Sequence, residues 1–256
     1  MKKYVNKLKS ILGLGLSLAK ANFKLRNEGS FLGIFWYLLE PLLLFAVILG
    51  VKVFFISGDF PDYPMYLLLG LIIYNFFTRA TTRSTDLITN NSNFIKSMKI
   101  NHESLVVSAV LENVFSHFFE ILLFIGFMIF FKASLIWILI YPLIFVFFFL
   151  FVLGISFLLS TGGVYINDLQ NVWRIIARLL FFITPIFYVI IEKNIIYYIN
   201  LFNPLFYFLE ISRDIIIYHQ YPGFAFLLIA GIISLSFFFI GIFIFRRFKN
   251  KFAEMV

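Results

Sequence analysis

KLRNEGSFLGIFWYLLEPLLLFAVILGVKVFFI, residues 24–56, opens on Lys24, Arg26 and Glu28 and then, over residues 31–56, carries no charge except Glu40 and Lys52. A helix rises about 1.5 Å per residue, so about 20 apolar residues cross the ~30 Å hydrocarbon core of a bilayer. This stretch is long enough. Five more are expected to span, at residues 65–84, 105–131, 135–159, 172–191 and 224–245. The second is apolar only to Phe77 and is expected to continue as a helix through Thr78 to Ser84. The whole chain is 62% hydrophobic and 13% charged, whereas soluble domains carry about 25% charged residues. The fold expected is an all-α membrane protein of six transmembrane helices, with residues 1–256 forming one transmembrane domain.

Charge gives that bundle an orientation. Of 21 Lys and Arg residues, only Lys52, Lys132, Lys193 and Arg213 fall on one side of the six stretches. Basic residues beside short loops resist translocation, so both termini are expected in the cytoplasm of a multi-pass membrane protein. The net charge of +8 sits beside apolar spans, where anionic headgroups account for it and nucleic acid is not an expected partner. There are no cysteines, so no disulfide framework is available.

Residues 1–25 form a basic amphipathic helix suited to the membrane surface. Val5, Leu8, Leu12, Leu16, Ala19 and Phe23 make its apolar stripe, opposite Asn6, Ser10, Gly13, Ser17, Lys20 and Lys24. A signal peptide is the competing reading, from Lys2, Lys3 and the small pair Ala19 and Ala21. Residues 192–222 are apolar in pieces too short to cross and are broken at Asn203-Pro204. Two short re-entrant helices on the outer side are expected there. Residues 87–101, with Asn91, Ser92, Asn93, Phe94, Lys96 and Lys99, form a polar cytoplasmic connection.

Motifs of soluble enzymes are missing. No G-x-x-x-x-G-K-[ST] loop is present, and His102-Glu103 is followed by Val106 where a zinc motif needs its second histidine. No catalytic residue, metal or cofactor is expected. Charge inside the spans is more informative, because an ionised group at mid-membrane costs about 2.5–3.5 kcal/mol by insertion scales. Glu40 stands about 13 Å into the first span at 1.5 Å per residue. Arg174 and Arg178 enter the fifth span at similar depth, and Glu40 is expected to pair with one of them. Ser108, Glu112, Ser116 and Glu120 recur every fourth residue on the third span, flanked by Asn113 and His117. That face reads as hydrogen bonding between helices or as a polar path, the former preferred. Trp36 and Tyr37 share a face with Gly33, Glu40 and Leu44, and Tyr188 lies near the outer end of the fifth span. Such rings stack on sugars and also anchor helices at interfaces.

Residues 24–45, KLRNEGSFLGIFWYLLEPLLLF, resemble the permease subunit of type-2 ATP-binding-cassette polysaccharide exporters, which move O-antigen, capsule or teichoic acid chains. The likeness continues in order through LLLGLIIYNFFTRAT (67–81), NSNFIKSMKI (91–100), VYINDLQNVWRII (164–176), TPIFY (184–188) and NPLFYFLEISRD (203–214). It departs at Asn167, where the family has Arg before Asp168, and at residues 99–102, where Phe-Pro is usual. The resemblance implies a homodimer with two separate ATP-binding subunits and a lipid-linked polysaccharide as substrate. It implies a channel lined by the first and fifth helices, with Trp36, Tyr37, Glu40, Arg174, Arg178 and Tyr188. It implies an outer gate with Asn203, Pro204, Arg213 and Asp214, and ATPase coupling through Asn91, Ser92, Asn93, Phe94, Lys96 and Lys99. Two alternatives stay open: a permease for a small molecule such as a drug or haem, and a membrane enzyme built on Glu112, His117 and Glu120.

Overall fold

Prolines and asparagines set where the helices begin. The structure, a computed structural model, describes residues 2–28, 30–55, 62–97, 101–190 and 193–255, and these contain no strand. Helix α1 covers Lys2–Glu28, and a short 3₁₀ turn at Gly33–Phe35 leads into α2, Trp36–Phe55. Gly33 takes a φ of 50°, a left-handed value that favours glycine. Helix α3, Tyr63–Ser84, has Pro64 in its first turn, where a missing N–H costs nothing. Two short helices follow, α4 at Leu87–Asn90 and α5 at Ser92–Ser97, then the long α6, His102–Phe130. Helix α7, Tyr141–Tyr165, again has proline in its first turn. Helix α8 covers Leu169–Ile183, α9 Ile195–Asn200, α10 Pro204–Ile216, α11 Phe224–Phe248 and α12 Phe252–Met255.

Helix α3 is the axis of the bundle. Its residues are buried from Tyr63 to Phe77 with the exceptions of Pro64 and Asn75, and α2, α6, α7, α8 and α10 all touch it. Phenylalanine fills the layer between α3, α7 and α10: Phe76, Phe148, Phe151 and Phe208 are buried with ring centroids 5.1–6.4 Å apart. Helix α11 lies along α7 through a row of small residues. Ala230, Ser234 and Gly241 are buried there, and a side chain on Gly154 of α7 would fall on the backbone of Phe237. Small residues permit such close approach, which in lipid substitutes for a hydrophobic drive between helices. The outward surface is apolar, with Phe54, Phe130, Leu139 and Phe224 each at least 71% exposed. In water that surface would aggregate, whereas lipid solvates it.

Four helical segments are long and apolar enough to cross a membrane: Gly33–Phe54, His102–Phe130, Leu135–Tyr165 and Phe224–Lys251. Of the other two expected spans, α3 carries Arg79 and Arg83 within its length. The fifth needs correction. It was expected over residues 172–191, but α8 ends at Ile183. Thr184 precedes Pro185, and the clash with the proline ring pushes it to an extended ψ of 136°. The expected break at Asn203-Pro204 is present between α9 and α10. Asn194 caps α9 by accepting from Ile196 and Tyr197, and Asn203 caps α10 by accepting from the Leu205 N–H at 3.1 Å.

Helix α1 departs from its expected stripe. Ile11, Gly15 and Ala19, one turn apart, are its buried row, and a side chain on Gly15 would press against Val107 of α6. Leu12 and Leu16, read as part of the apolar stripe, remain 50% and 41% exposed beside that row.

Candidate functional site

The polar face of α6 is the scaffold of the first polar cluster. Glu112 and Glu120 are both fully buried, and each is met by arginine. Arg83 of α3 donates to Glu112 Oε1 at 2.5 Å, and Arg26 of α1 approaches the same oxygen at 3.1 Å. Arg26 also donates to Ser116 Oγ and to the Tyr37 hydroxyl, both at 2.7 Å. Arg79, one turn from Arg83, bridges two carboxylates, with Glu120 Oε1 and Glu40 Oε2 each 2.7 Å away. His117 Nε2 lies 2.7 Å from the Tyr141 hydroxyl of α7. Two neighbouring clusters, one on Glu112 and one on Glu120, thereby tie α1, α2, α3, α6 and α7 into a network, and they meet where the Arg79 guanidinium lies 5.9 Å from the Tyr37 ring centroid.

Glu40 was expected to pair with Arg174 or Arg178; its partner is Arg79. The spacing explains why. Arg79 and Arg83 present two cations on one face of α3, and Glu112 and Glu120 present two anions on the face of α6 that packs against it. A buried carboxylate left unpaired costs several kcal/mol, so burial draws the arginines inward. Arg26, Arg79 and Arg83 were read only as orientation signals. Two acids eight residues apart on α6, Glu112 and Glu120, against two bases four residues apart on α3, Arg79 and Arg83, were the pattern that could have revealed them.

Beside this network lies a cavity of about 1040 Å³ between α1, α3, α6 and α8. Arg174 and Arg178 both line it, as do Tyr74, Asn75, Asp86 and Gln170. Asp86 Oδ2 accepts from Asn90 and Gln170 at 2.8 Å. Trp173 donates to Thr81 Oγ1 at 3.0 Å, and the Tyr74 hydroxyl to the Ala177 carbonyl, which hold α8 against α3. Trp36 and Glu40 border a neighbouring cleft of about 530 Å³. Trp36 is 49% exposed, whereas Tyr37 is buried with its hydroxyl occupied by Arg26. Tyr188 stands apart from this group, its hydroxyl donating to the Ile183 carbonyl at the end of α8.

The opposite end of α3 carries a second polar cluster. Breaking α8 at Thr184 leaves backbone carbonyls without helical partners, and neighbouring helices supply them. Tyr63 donates to Phe187 O at 2.6 Å, Tyr66 to Tyr188 O at 2.9 Å, and Arg213 to Pro185 O at 2.7 Å and Ile186 O at 3.1 Å. Arg213 is fully buried and stacks 3.4 Å from the Tyr66 ring centroid. A side chain on Gly70 would collide with its guanidinium. Asn203 donates to Thr184 Oγ1 at 2.7 Å, so the cap of α10 also grips the end of α8. Burial lifts the Glu210 and Asp214 carboxyls above their ordinary range, with the charge of Arg213 pulling the other way. Arg213, counted in the sequence with the charges of the outer side, is a buried brace between α3, α10 and residues 184–188.

At the network's own end, Glu103 is buried between Arg246 at 3.3 Å and Lys249 at 2.8 Å, which pins the start of α6 to the end of α11. The connection from α3 to α6 is built from α4 and α5. Asn91 donates to Leu87 O at 2.7 Å, Ile95 is buried, and Ser92, Asn93 and Lys96 reach the surface in part or in full. The Phe94 side chain and Lys99 lie outside the described residues. Among the described residues no group of His, Asp and Glu could hold a metal ion.

An all-helical bundle with an arginine-lined cavity and no nucleotide-binding motif suits a membrane translocation subunit, and comparison with known proteins agrees. The chain is 22% identical over 260 residues to an O-antigen export system permease protein RfbA of Myxococcus xanthus, covering 100% of both. It is 26% identical over 246 residues to an RfbA of Klebsiella pneumoniae, covering 93% of both. It is 26% identical over 207 residues to the polysialic acid transport protein KpsM of Escherichia coli, covering 75% of both. The ABC-2 type transporter family matches residues 15–217, a region that takes in both polar clusters and the cavity, and the chain belongs to that family of integral membrane transporter subunits.

Proposed function

We propose that this chain is the channel-forming permease of an ATP-driven exporter that moves a lipid-linked polysaccharide from the cytoplasm across the inner membrane. Two copies would assemble with two separate ATP-binding subunits. The observation that carries this reading is its full-length likeness to permeases named for O-antigen export, together with an arginine-lined cavity beside the α2 face that bears Trp36 and Glu40. Six spans, α2, α3, α6, α7, α8 and α11, with both termini in the cytoplasm, put Arg246, Lys249 and α4–α5 on the ATPase side. Helices α9 and α10 then lie at the outer face as a gate, with Asn203, Pro204, Arg213 and Asp214 holding it against α8.

In this reading, closure of the ATP-bound partner presses on α4 and α5, through Asn91, Ser92, Asn93, Phe94, Lys96 and Lys99. Helix α4 touches both α6 and α7, so the stroke passes into the bundle close to the arginine network. Trp36 offers an exposed stacking surface for sugars. The trio Glu112, His117 and Glu120 serves assembly, being occupied by Arg26, Arg83, Tyr141 and Arg79.

The test is co-purification of the tagged chain with its ATP-binding subunit, followed by surface-glycan measurement in a deletion strain. The wild-type chain should restore glycan display, and N93A/K96A should retain the chain in the membrane yet lower display at least tenfold. Normal glycan display in the deletion strain itself would refute the assignment.

A further inference from the structure

An apolar groove of about 710 Å³ runs between α2 and α6. Every residue lining it is apolar, and Gly126 sits at the centre of its α6 wall, where a side chain would meet open space. Along α6 the lining extends from Phe119 to Phe131, about 18 Å at 1.5 Å per residue. One leaflet's share of the hydrocarbon core is about 15 Å, so the groove is as long as one acyl chain. Both walls belong to helices long and apolar enough to cross a membrane. The groove uses the face of α2 that carries Leu38, Phe45 and Leu49. At 3.6 residues per turn, this is the opposite face to Trp36, Glu40 and Val47, which border the neighbouring cleft. It is therefore separate from the arginine-lined cavity and from the proposed channel.

One end of the groove is basic. Helices α2 and α6 run parallel, because the Phe45 and Phe127 rings meet edge to face at 5.3 Å and Arg79 joins Glu40 to Glu120. Lys52, one turn beyond Leu49, and Lys132, next after Phe131, consequently stand at the same end. The Lys52 ammonium lies 4.1 Å from the ring centroid of Tyr63, whose neighbour Pro64 lines the groove. Lys132 is exposed. Lysine stems follow apolar surface while the ammonium reaches the headgroup layer, where it attracts negative charge. We propose that the groove is a site for one acyl chain of an anionic glycerophospholipid, whose headgroup is met by Lys52 and Lys132. An unfilled groove forfeits dispersion contacts along both helices, and a seated chain restores them. The lipid is a resident of the bilayer that sets the spacing of α2 from α6, and the site does not rest on the export reading.

The full-length chain, reconstituted in vesicles of phosphatidylcholine and phosphatidylglycerol and extracted in mild detergent, can be weighed by native mass spectrometry to count retained lipid. The wild-type chain should retain phosphatidylglycerol in preference to phosphatidylcholine. Two substitutions fill the groove, G126L from its centre and L122W from its exposed rim. Each should elute from size exclusion like wild type and retain at least about fivefold less phosphatidylglycerol; should one fail to fold, the other decides. K52Q/K132Q should still retain lipid but lose the preference between the two headgroups. Equal retention by wild type and the filled variants overturns the proposal, as does an unchanged preference in K52Q/K132Q. A wild-type dimer that holds no lipid and that G126L splits into monomers also overturns it, giving the groove to a second copy of the chain.

Discussion

Glu40, Glu112 and Glu120 all meet arginine, yet they differ in what water can do for them. The Glu40 side chain is 63% exposed, whereas Glu112 and Glu120 are fully buried. Exposed ion pairs contribute about 0–1 kcal/mol, and removing one partner of a buried pair costs about 3–5 kcal/mol. Glu120→Gln should therefore lower thermal stability in detergent by several kcal/mol, while Glu40→Gln should cost less than about 1 kcal/mol. Equal losses in the two variants would contradict the burial argument. Arg79 supplies a second check: Arg79→Gln strips Glu120 as well as Glu40, so it should cost at least as much as Glu120→Gln, and exchanging Glu40 with Arg178 should rescue nothing. Glu112 and Glu120 were legible because they share a row with Ser108 and Ser116, at every fourth residue of one helix. Their partners were not, since Arg79 and Arg83 lie on another helix and sequence order does not say which faces meet. Arg174 and Arg178 were legible as intramembrane charges, and the structure places them in one cavity but away from Glu40.

Among the elements, apolar stretches marked every long helix, while the ends depended on local chemistry. Pro185 and the extended Thr184 cut α8 eight residues short of the expected end at Ile191, even though hydropathy continues without a break. The two helices joined at Asn203-Pro204 were legible because an asparagine cap followed by proline is a strong helix start. The row of Gly154 and Gly241 was not, since a glycine in an apolar run does not announce which helix approaches it. Gly154→Leu should separate α7 from α11 and abolish the folded monomer, read as loss of the sharp size-exclusion peak, whereas Gly126→Leu, with open space around it, should be tolerated. Helix α10 should also respond to pH. Its Glu210 and Asp214 carboxyls are raised in the folded state, so the folded chain holds those protons more tightly than the unfolded one. Stability is then greatest at or below the ordinary carboxylate range and falls as pH rises through the raised values. Hydrogen-exchange protection factors in α10 should be larger at about pH 4–5 than at pH 7; the opposite order would reject the burial account.

Across the whole molecule, one feature organises function: polar clusters at the two ends of α3. One end gathers Arg79 and Arg83 with carboxylates from α2 and α6, and the other binds Arg213 and residues 184–188. Because α3 also touches α8 and α10, a displacement at the α4–α5 end has a path of packed helices to the α10 end. The sequence carries no G-x-x-x-x-G-K-[ST] loop, and in the proposed mechanism the energy for that displacement comes from a separate ATP-binding subunit. The most direct measurement is reconstitution of the purified chain in proteoliposomes, with and without its ATP-binding subunit, scoring ATP hydrolysis and the transfer of lipid-linked glycan to the opposite leaflet. Hydrolysis and transfer that both require the second subunit, and that both fall in N93A/K96A, are the predicted result. ATP hydrolysis by the chain alone, or glycan transfer without the ATP-binding subunit, would contradict the account.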